Sequence, residues 1–189
     1  MPQTYPPVVP SAPFLWHGGD YNPEQWPRET WAEDFRLMQQ AGVTMATVGV
    51  FSWVSLQPAE DEYTFGWLDE VIDGLHAHGI RVVLATPSAA QPAWMSQQYP
   101  DVLRSDENGV RRQQGGRTNY CPNSPNYRRL SGNIARKLAQ RYGQHPAVLL
   151  WHVSNEYAGA CYCDTCAAQF RVWLQAKYGT LEELNARWW

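Results

Sequence analysis

The 189-residue chain carries 15 basic and 18 acidic residues, a formal charge of −3, and 44% of it is apolar. That is enough for one domain with a core, and too apolar and weakly charged for a disordered chain. The balance offers no basic footprint for nucleic acid or an anionic membrane, and no stretch is long and apolar enough to span a bilayer.

Residues 1–13 hold Pro2, Pro6, Pro7, Pro10 and Pro13 and read as an extended leader ahead of a single unit over 14–189. The leader lacks the basic start and apolar run of a secretory signal. The four cysteines are therefore expected in the reduced cytoplasm. Phe14 to Asp20 reads as a strand entering a Gly-rich loop. Trp31 to Ala41 is a predicted helix with Thr30 as N-cap, Gly42 as its stop, and Ala32, Phe35, Leu37 and Met38 on its apolar face. Val43 to Phe51 is a β-branched, apolar strand. Trp67 to His78 is a helix with Leu68, Val71, Ile72 and Leu75 on one face. Ile80 to Ala85 is the third strand, and a long connection over 86–123 follows it. Ser124 and Pro125 open a helix to Tyr142 as N-cap and first residue. Ala147 to Val153 is the fourth strand, expected buried. Asp164 to Tyr178 is a helix closed by Gly179, and Thr180-Leu181-Glu182-Glu183 offers a capping box for another.

Alternating strand and helix imply a parallel sheet with right-handed crossovers. A doubly wound sheet and part of a (β/α)8 barrel both fit. No G-x-G-x-x-G follows a strand, which disfavours a dinucleotide fold. Polar and aromatic residues gather after the strands, where barrel enzymes keep their chemistry. A whole barrel takes roughly 250 residues. About four βα units are present, so the chain reads as the N-terminal half of a TIM barrel that continues past Trp188-Trp189.

The fourth strand delivers Asn155-Glu156 at its C-terminal tip. Glycosidic cleavage needs two carboxyl groups, one to protonate the leaving oxygen and one to attack the anomeric carbon or activate water. The proton donor must stay neutral near pH 7, which a closed barrel mouth lined by Trp and Tyr would favour. Ten tryptophans and ten tyrosines are also side chains that stack on sugar rings, although they serve equally as core. An isolated Asn-Glu dipeptide is usually a solvated loop; this one gains weight from ending a strand in a βα series.

The motifs His17-Gly18-Gly19-Asp20-Tyr21-Asn22-Pro23-Glu24-Gln25-Trp26, Phe51-Ser52-Trp53, Gln57-Pro58, Phe65-Gly66-Trp67-Leu68-Asp69, Ala85-Thr86-Pro87, Pro92-Ala93-Trp94, Tyr99-Pro100 and Asn155-Glu156-Tyr157 together resemble the β-galactosidases of glycoside hydrolase family 42, in clan A. The resemblance implies a (β/α)8 barrel and retaining hydrolysis of terminal β-D-galactosides. It implies Glu156 as acid/base, with Arg117 and Asn155 binding substrate. It also implies a nucleophilic glutamate at the end of strand seven, absent from these residues, and a full-length homotrimer. The 189 residues alone are then expected to be inactive. Related barrels cleave other β-glycosides or α-L-arabinopyranosides.

Cys161-Tyr162-Cys163-Asp164-Thr165-Cys166 gives C-x-C-x-x-C just before a helix, and Cys121 lies in the preceding βα loop. Four thiolates around Zn²⁺ would form a closed structural site; disulfides or unrelated free thiols are the alternatives. The family resemblance supports zinc. The competing function from a different class is a zinc-stabilised structural or binding module.

Overall fold

A computed structural model describes residues 5–189; the first four residues of the expected leader lie outside the described residues. The elements, in chain order, are β1 (Asp20–Tyr21), α1 (Trp31–Gln40), β2 (Met45–Val48), α2 (Trp53–Leu56), α3 (Gly66–Ala77), β3 (Arg81–Thr86), α4 (Ala93–Gln98), α5 (Pro125–Tyr142), β4 (Val148–Val153), α6 (Asp164–Tyr178) and α7 (Leu181–Trp188). The strands form one parallel sheet in the order β1-β2-β3-β4. A doubly wound sheet reverses its order partway. An unbroken 1-2-3-4 sequence with right-handed crossovers keeps every connecting helix on one face. This is half of a (β/α)8 barrel, four successive βα units.

The core lies between that sheet and its helices. Ala46, Val48, Val82 and Leu84 point from the sheet into Leu68, Val71, Ile72 and Leu75 of α3 and Leu130, Ile134 and Leu138 of α5. Each buried side chain of this size contributes about 1.5–3 kcal/mol of transfer free energy. The α3 face is the one its 3.6-residue spacing predicts. Gly18 is required by contact, since a Cβ there would collide with the Met45 carbonyl.

Several expectations need correction. The first strand is paired as a ladder only at Asp20–Tyr21, although the His17 and Gly19 carbonyls still accept from Thr44, Met45 and Thr47. Thr30 does not cap α1; its hydroxyl donates to the Pro27 carbonyl at 2.8 Å. Leu37 is exposed, and Trp31 joins Phe35 in the core in its place. Strand β4 is not buried: Val153 is 65% exposed and Trp151 36%, because β3 is its sheet partner among the described residues. Helix α6 buries none of its residues. By contrast, Ser124 caps α5 by accepting from the Tyr127 amide at 3.1 Å, and Thr180 caps α7 through the Glu183 amide at 3.2 Å.

Candidate active site

The C-terminal ends of the four strands carry the polar residues, as barrel geometry requires. After β4 the chain turns abruptly. Ser154 and Glu156 adopt left-handed backbone at φ 60° and 41°, conformations that residues with a Cβ take only when their surroundings hold them there. The Ser154 amide donates to Thr86 Oγ1 at 2.8 Å, fixing the turn to the end of β3. The Tyr157 hydroxyl donates back to the Val153 carbonyl at 3.3 Å.

The long loop after β3 is ordered by its own bonds. Thr118 is left-handed at φ 55°, and its amide donates to the Ala89 carbonyl at 2.7 Å. The Asn119 amide group donates to the Gln113 and Gly115 carbonyls at 2.7 and 3.2 Å. Tyr120 stacks on Tyr127 with centroids 4.1 Å apart, and burial pushes the Tyr127 phenol far above its ordinary range.

This loop brings Arg117 to Glu156, with Nη2 3.2 Å from Oε2. The guanidinium also lies 5.3 Å over the Phe51 ring, from the loop after β2. The loops of strands two, three and four thus meet in one constellation: an aromatic platform, a fork of donors and a carboxyl group. Arginine suits this place because its planar fork pairs with carboxylates and stacks on aromatics at once. Half-buried Asn155 precedes the glutamate.

The expected enclosure is missing. The Glu156 side chain is 65% exposed and that of Arg117 56%, so the closed mouth inferred for a neutral acid is not formed by these residues. A cleft of about 410 Å³ runs beside the turn, lined by Thr86, Ser88, Tyr127, Ser154 and Tyr157. It does not include Glu156 or Arg117.

Two other acidic groups at this end, Glu24 and Glu60, have partners. Glu24 accepts from Ser52 Oγ at 2.8 Å. Glu60 accepts from the Tyr99 hydroxyl at 2.6 Å and Arg129 at 2.7 Å; these bonds hold its carboxyl below the usual carboxylate range. In the first loop the Tyr21 hydroxyl donates to Asp34 of α1 at 2.9 Å, and burial raises its pKa first, that bond second.

The four cysteines converge. All are free thiols, and their sulfur atoms lie within 4.8 Å of one another. Cys121 Sγ is 3.6 Å from Cys163 Sγ and 3.5 Å from Cys166 Sγ. A disulfide needs about 2.05 Å, whereas a tetrahedron with Zn–S bonds of about 2.3 Å has edges of about 3.8 Å. The donor set therefore fits Zn²⁺. Burial pushes the Cys163 thiol up, but the Cys166 amide and the neighbouring thiols outweigh it, leaving a pKa of about 7. Burial raises Cys121 and Cys166.

The sequence assigned no site role to Phe51, although the residue stands in the motif Phe51-Ser52-Trp53; an aromatic just past a strand end is a weak signal. Arg104 of the loop after β3, 6% exposed and donating through Nη2 to the Ala158 carbonyl at 3.0 Å, likewise carries no sequence signal that sets it apart from the other arginines of its loop.

Residues 20–189 match the glycoside hydrolase family 42 pattern, described as Beta-galactosidase. The chain is 60% identical over 177 residues to Beta-galactosidase BgaP of Planococcus sp. (strain L4), covering 93% of the chain and 26% of that protein. It superposes on the crystal structure of a β-galactosidase from Bacillus circulans sp. alkalophilus with a TM-score of 0.88 at 55% identity, over 92% of this chain and 26% of the other. For the cold-adapted β-galactosidase of Rahnella sp. R3 the TM-score is 0.90 at 52% identity, over 93% and 26%. The chain spans about a quarter of the length of each. By sequence and by superposition, then, this chain belongs to glycoside hydrolase family 42, the β-galactosidase family.

Proposed function

We propose that these residues supply the proton-donating half of a retaining β-galactosidase. The observation that carries the reading is the Arg117–Glu156 pair, 3.2 Å apart at the tip of β4, in a chain whose relatives are named β-galactosidases. Glu156 protonates the departing glycosidic oxygen and later, as carboxylate, takes a proton from the attacking water. Arg117 and Asn155 hold substrate hydroxyls; the guanidinium has donors to spare beyond its bond to Glu156. The nucleophilic carboxylate comes from residues outside this chain and stands roughly 5–5.5 Å from Glu156, the separation of a retaining pair. The missing barrel walls and the bound sugar provide the enclosure that keeps Glu156 protonated.

Cys121, Cys161, Cys163 and Cys166 hold a structural Zn²⁺ in this reading, which a reducing cytoplasmic compartment suits. With four protein ligands the ion is closed to substrate, and it ties the Glu156 loop to the loop carrying Cys121.

The test is hydrolysis of a chromogenic β-galactoside by the full-length polypeptide. Glu156→Gln is expected to lower kcat by about 10²–10⁴-fold, the usual worth of a positioned acid/base. A normal rate in that variant would sink the proposal. A panel including a β-glucoside and an α-L-arabinopyranoside identifies the sugar. The second reading, a zinc-stabilised structural module, is favoured by the thiol cluster alone; it requires that Glu156→Gln change nothing while metal removal unfolds the chain.

A further inference from the structure

Arg104 is 6% exposed, and among the described residues it has no carboxylate partner. Its Nε is buried with no hydrogen-bond partner. A buried guanidinium without a counter-ion is costly, so its placement calls for an explanation.

The placement links both members of the candidate pair. Arg104 Nη2 donates to the Ala158 carbonyl at 3.0 Å, two residues past Glu156. Its backbone amide donates to the Asn119 carbonyl at 3.4 Å, two residues past Arg117. Its own carbonyl accepts from the Arg112 amide at 2.9 Å. The next residue adds two ties to the same loop. The Ser105 amide donates to Cys161 Sγ at 3.4 Å, and the Ser105 carbonyl accepts from the Tyr162 amide at 3.0 Å. Isolated antiparallel bridges Leu103–Tyr120 and Ser105–Arg111 brace residues 103–105.

The β4 loop is shaped to admit this side chain. Gly159 sits at φ +72°, and a Cβ there would collide with Arg104 Nη1. The guanidinium lines a cleft of about 270 Å³ with Tyr120, Pro122, Tyr157, Ala158 and Gly159. Just upstream, Ser154 and Glu156 hold the left-handed backbone that persists only under external restraint.

We infer that Arg104 is a positioning residue that sets the placement of Glu156 relative to Arg117, by bonding one loop through its side chain and the other through its backbone. The inference rests on the reading of Glu156 as proton donor. Arg104 makes no ion pair with Glu156 among the described residues, so the role assigned to it is indirect. It acts by fixing where the Glu156 carboxyl stands, and proton transfer is sensitive to displacements of about 1 Å.

The experiment uses the full-length polypeptide, with kcat expressed per active site. Sites are counted with a fluorinated galactoside that traps the covalent glycosyl-enzyme of a retaining mechanism. Arg104→Met keeps the buried stem and removes the donors. Its kcat per site is expected to fall by about 10²-fold, with KM held within about twofold because the acid acts in the transition state. Arg104→Lys, which restores a charge-bearing donor, is expected to recover most of the loss. Gly159→Ala, which leaves Arg104 in place but obstructs its seat, is expected to show the same kcat defect, and it carries the test if Arg104→Met is insoluble. Wild-type kcat per site in either variant, or no rescue by lysine, overturns the inference. So does zinc loss in proportion to activity, which would assign Arg104 to the thiol cluster instead. Glu156→Gln is measured alongside. If it is as active as wild type, the functional reading itself falls. If it is inactive while Arg104→Met is normal, only the positioning role falls.

Discussion

At the scale of single residues, the chain shows how far a side chain's identity leaves its role open. Asp69 belongs to the motif Phe65-Gly66-Trp67-Leu68-Asp69, which marks the start of a helix and helps to carry the family resemblance but assigns the aspartate no role of its own. In the fold it joins α3 to α5. Arg141 donates to it through Nε at 2.7 Å and through Nη2, and the Tyr142 hydroxyl donates at 2.7 Å. The Arg141 bond is the main reason its carboxyl lies below the usual range; partial burial opposes it, and the Tyr142 bond reinforces it. A carboxyl depressed by folding stabilises the fold above its unfolded pKa of about 3.9, and that stability is lost as pH falls through the folded value. Asp69→Asn is therefore expected to cost about 1 kcal/mol at neutral pH, a modest figure because the pair is partly solvated. Urea melts at pH 7 and near pH 3 check this: the gap between variant and wild type should narrow in acid, and an equal gap at both would count against the assignment. Glu156 is legible as a strand-end glutamate. Its left-handed φ and its pairing with Arg117, 39 residues away in sequence, are not, since they depend on loops that meet only in the fold.

At the scale of elements, local signals fared unevenly, and the reason is physical. The helix signals that held are those whose partner lies within one turn. Ser124 and Thr180 each bond an amide three residues on, and the α3 face follows from spacing alone. The ones that failed depended on distant neighbours. Thr30 has the right chemistry for a cap, but the Pro27 carbonyl claims its hydroxyl. Strand β4 has an apolar sequence, yet it lies open because burial is conferred by a neighbouring strand or helix. The short helices α2 and α4 were missed because four and six residues are too few to show periodicity. The C-x-C-x-x-C spacing before α6, taken with Cys121, was legible as a candidate ligand set. The fold shows that the four sulfur atoms meet within 4.8 Å of one another, although Cys121 lies 40 residues upstream of Cys161. If the cluster holds structural zinc, the metal should be found at one per chain. A strong chelator should then lower the melting temperature and expose four thiols to a thiol reagent. Acidification should release the ion as the thiolates take up protons. Four reactive thiols and an unchanged melting temperature before any chelator is added would rule the zinc site out.

At the scale of the whole molecule, the sheet order settles the architecture. Composition and alternation permit both a doubly wound sheet and a barrel segment; the unbroken β1-β2-β3-β4 order selects the barrel. In the proposed reading, half of a barrel has one half of an active site. Glu156 and Arg117 meet here, while Glu24 and Glu60, the acidic residues of the earlier loops with defined partners, are bonded to Ser52, Tyr99 and Arg129. The 189-residue chain assayed by itself is therefore expected to hydrolyse a β-galactoside at no more than the rate of a Glu156→Gln control. Turnover well above that control would mean that a second carboxylate is recruited from within these residues.

The sequence by itself determined the βα alternation, the α3 face, the caps of α5 and α7, and the family. Each of these is written in short-range periodicity, in spacing or in motifs that survive without coordinates. The tertiary structure alone decided which strands are open, that Arg117 reaches Glu156 across the Phe51 ring, and that buried Arg104 braces both loops. Those relations depend on the crossing of loops distant in sequence, and no local pattern encodes a distance between two segments that meet only when the sheet has formed.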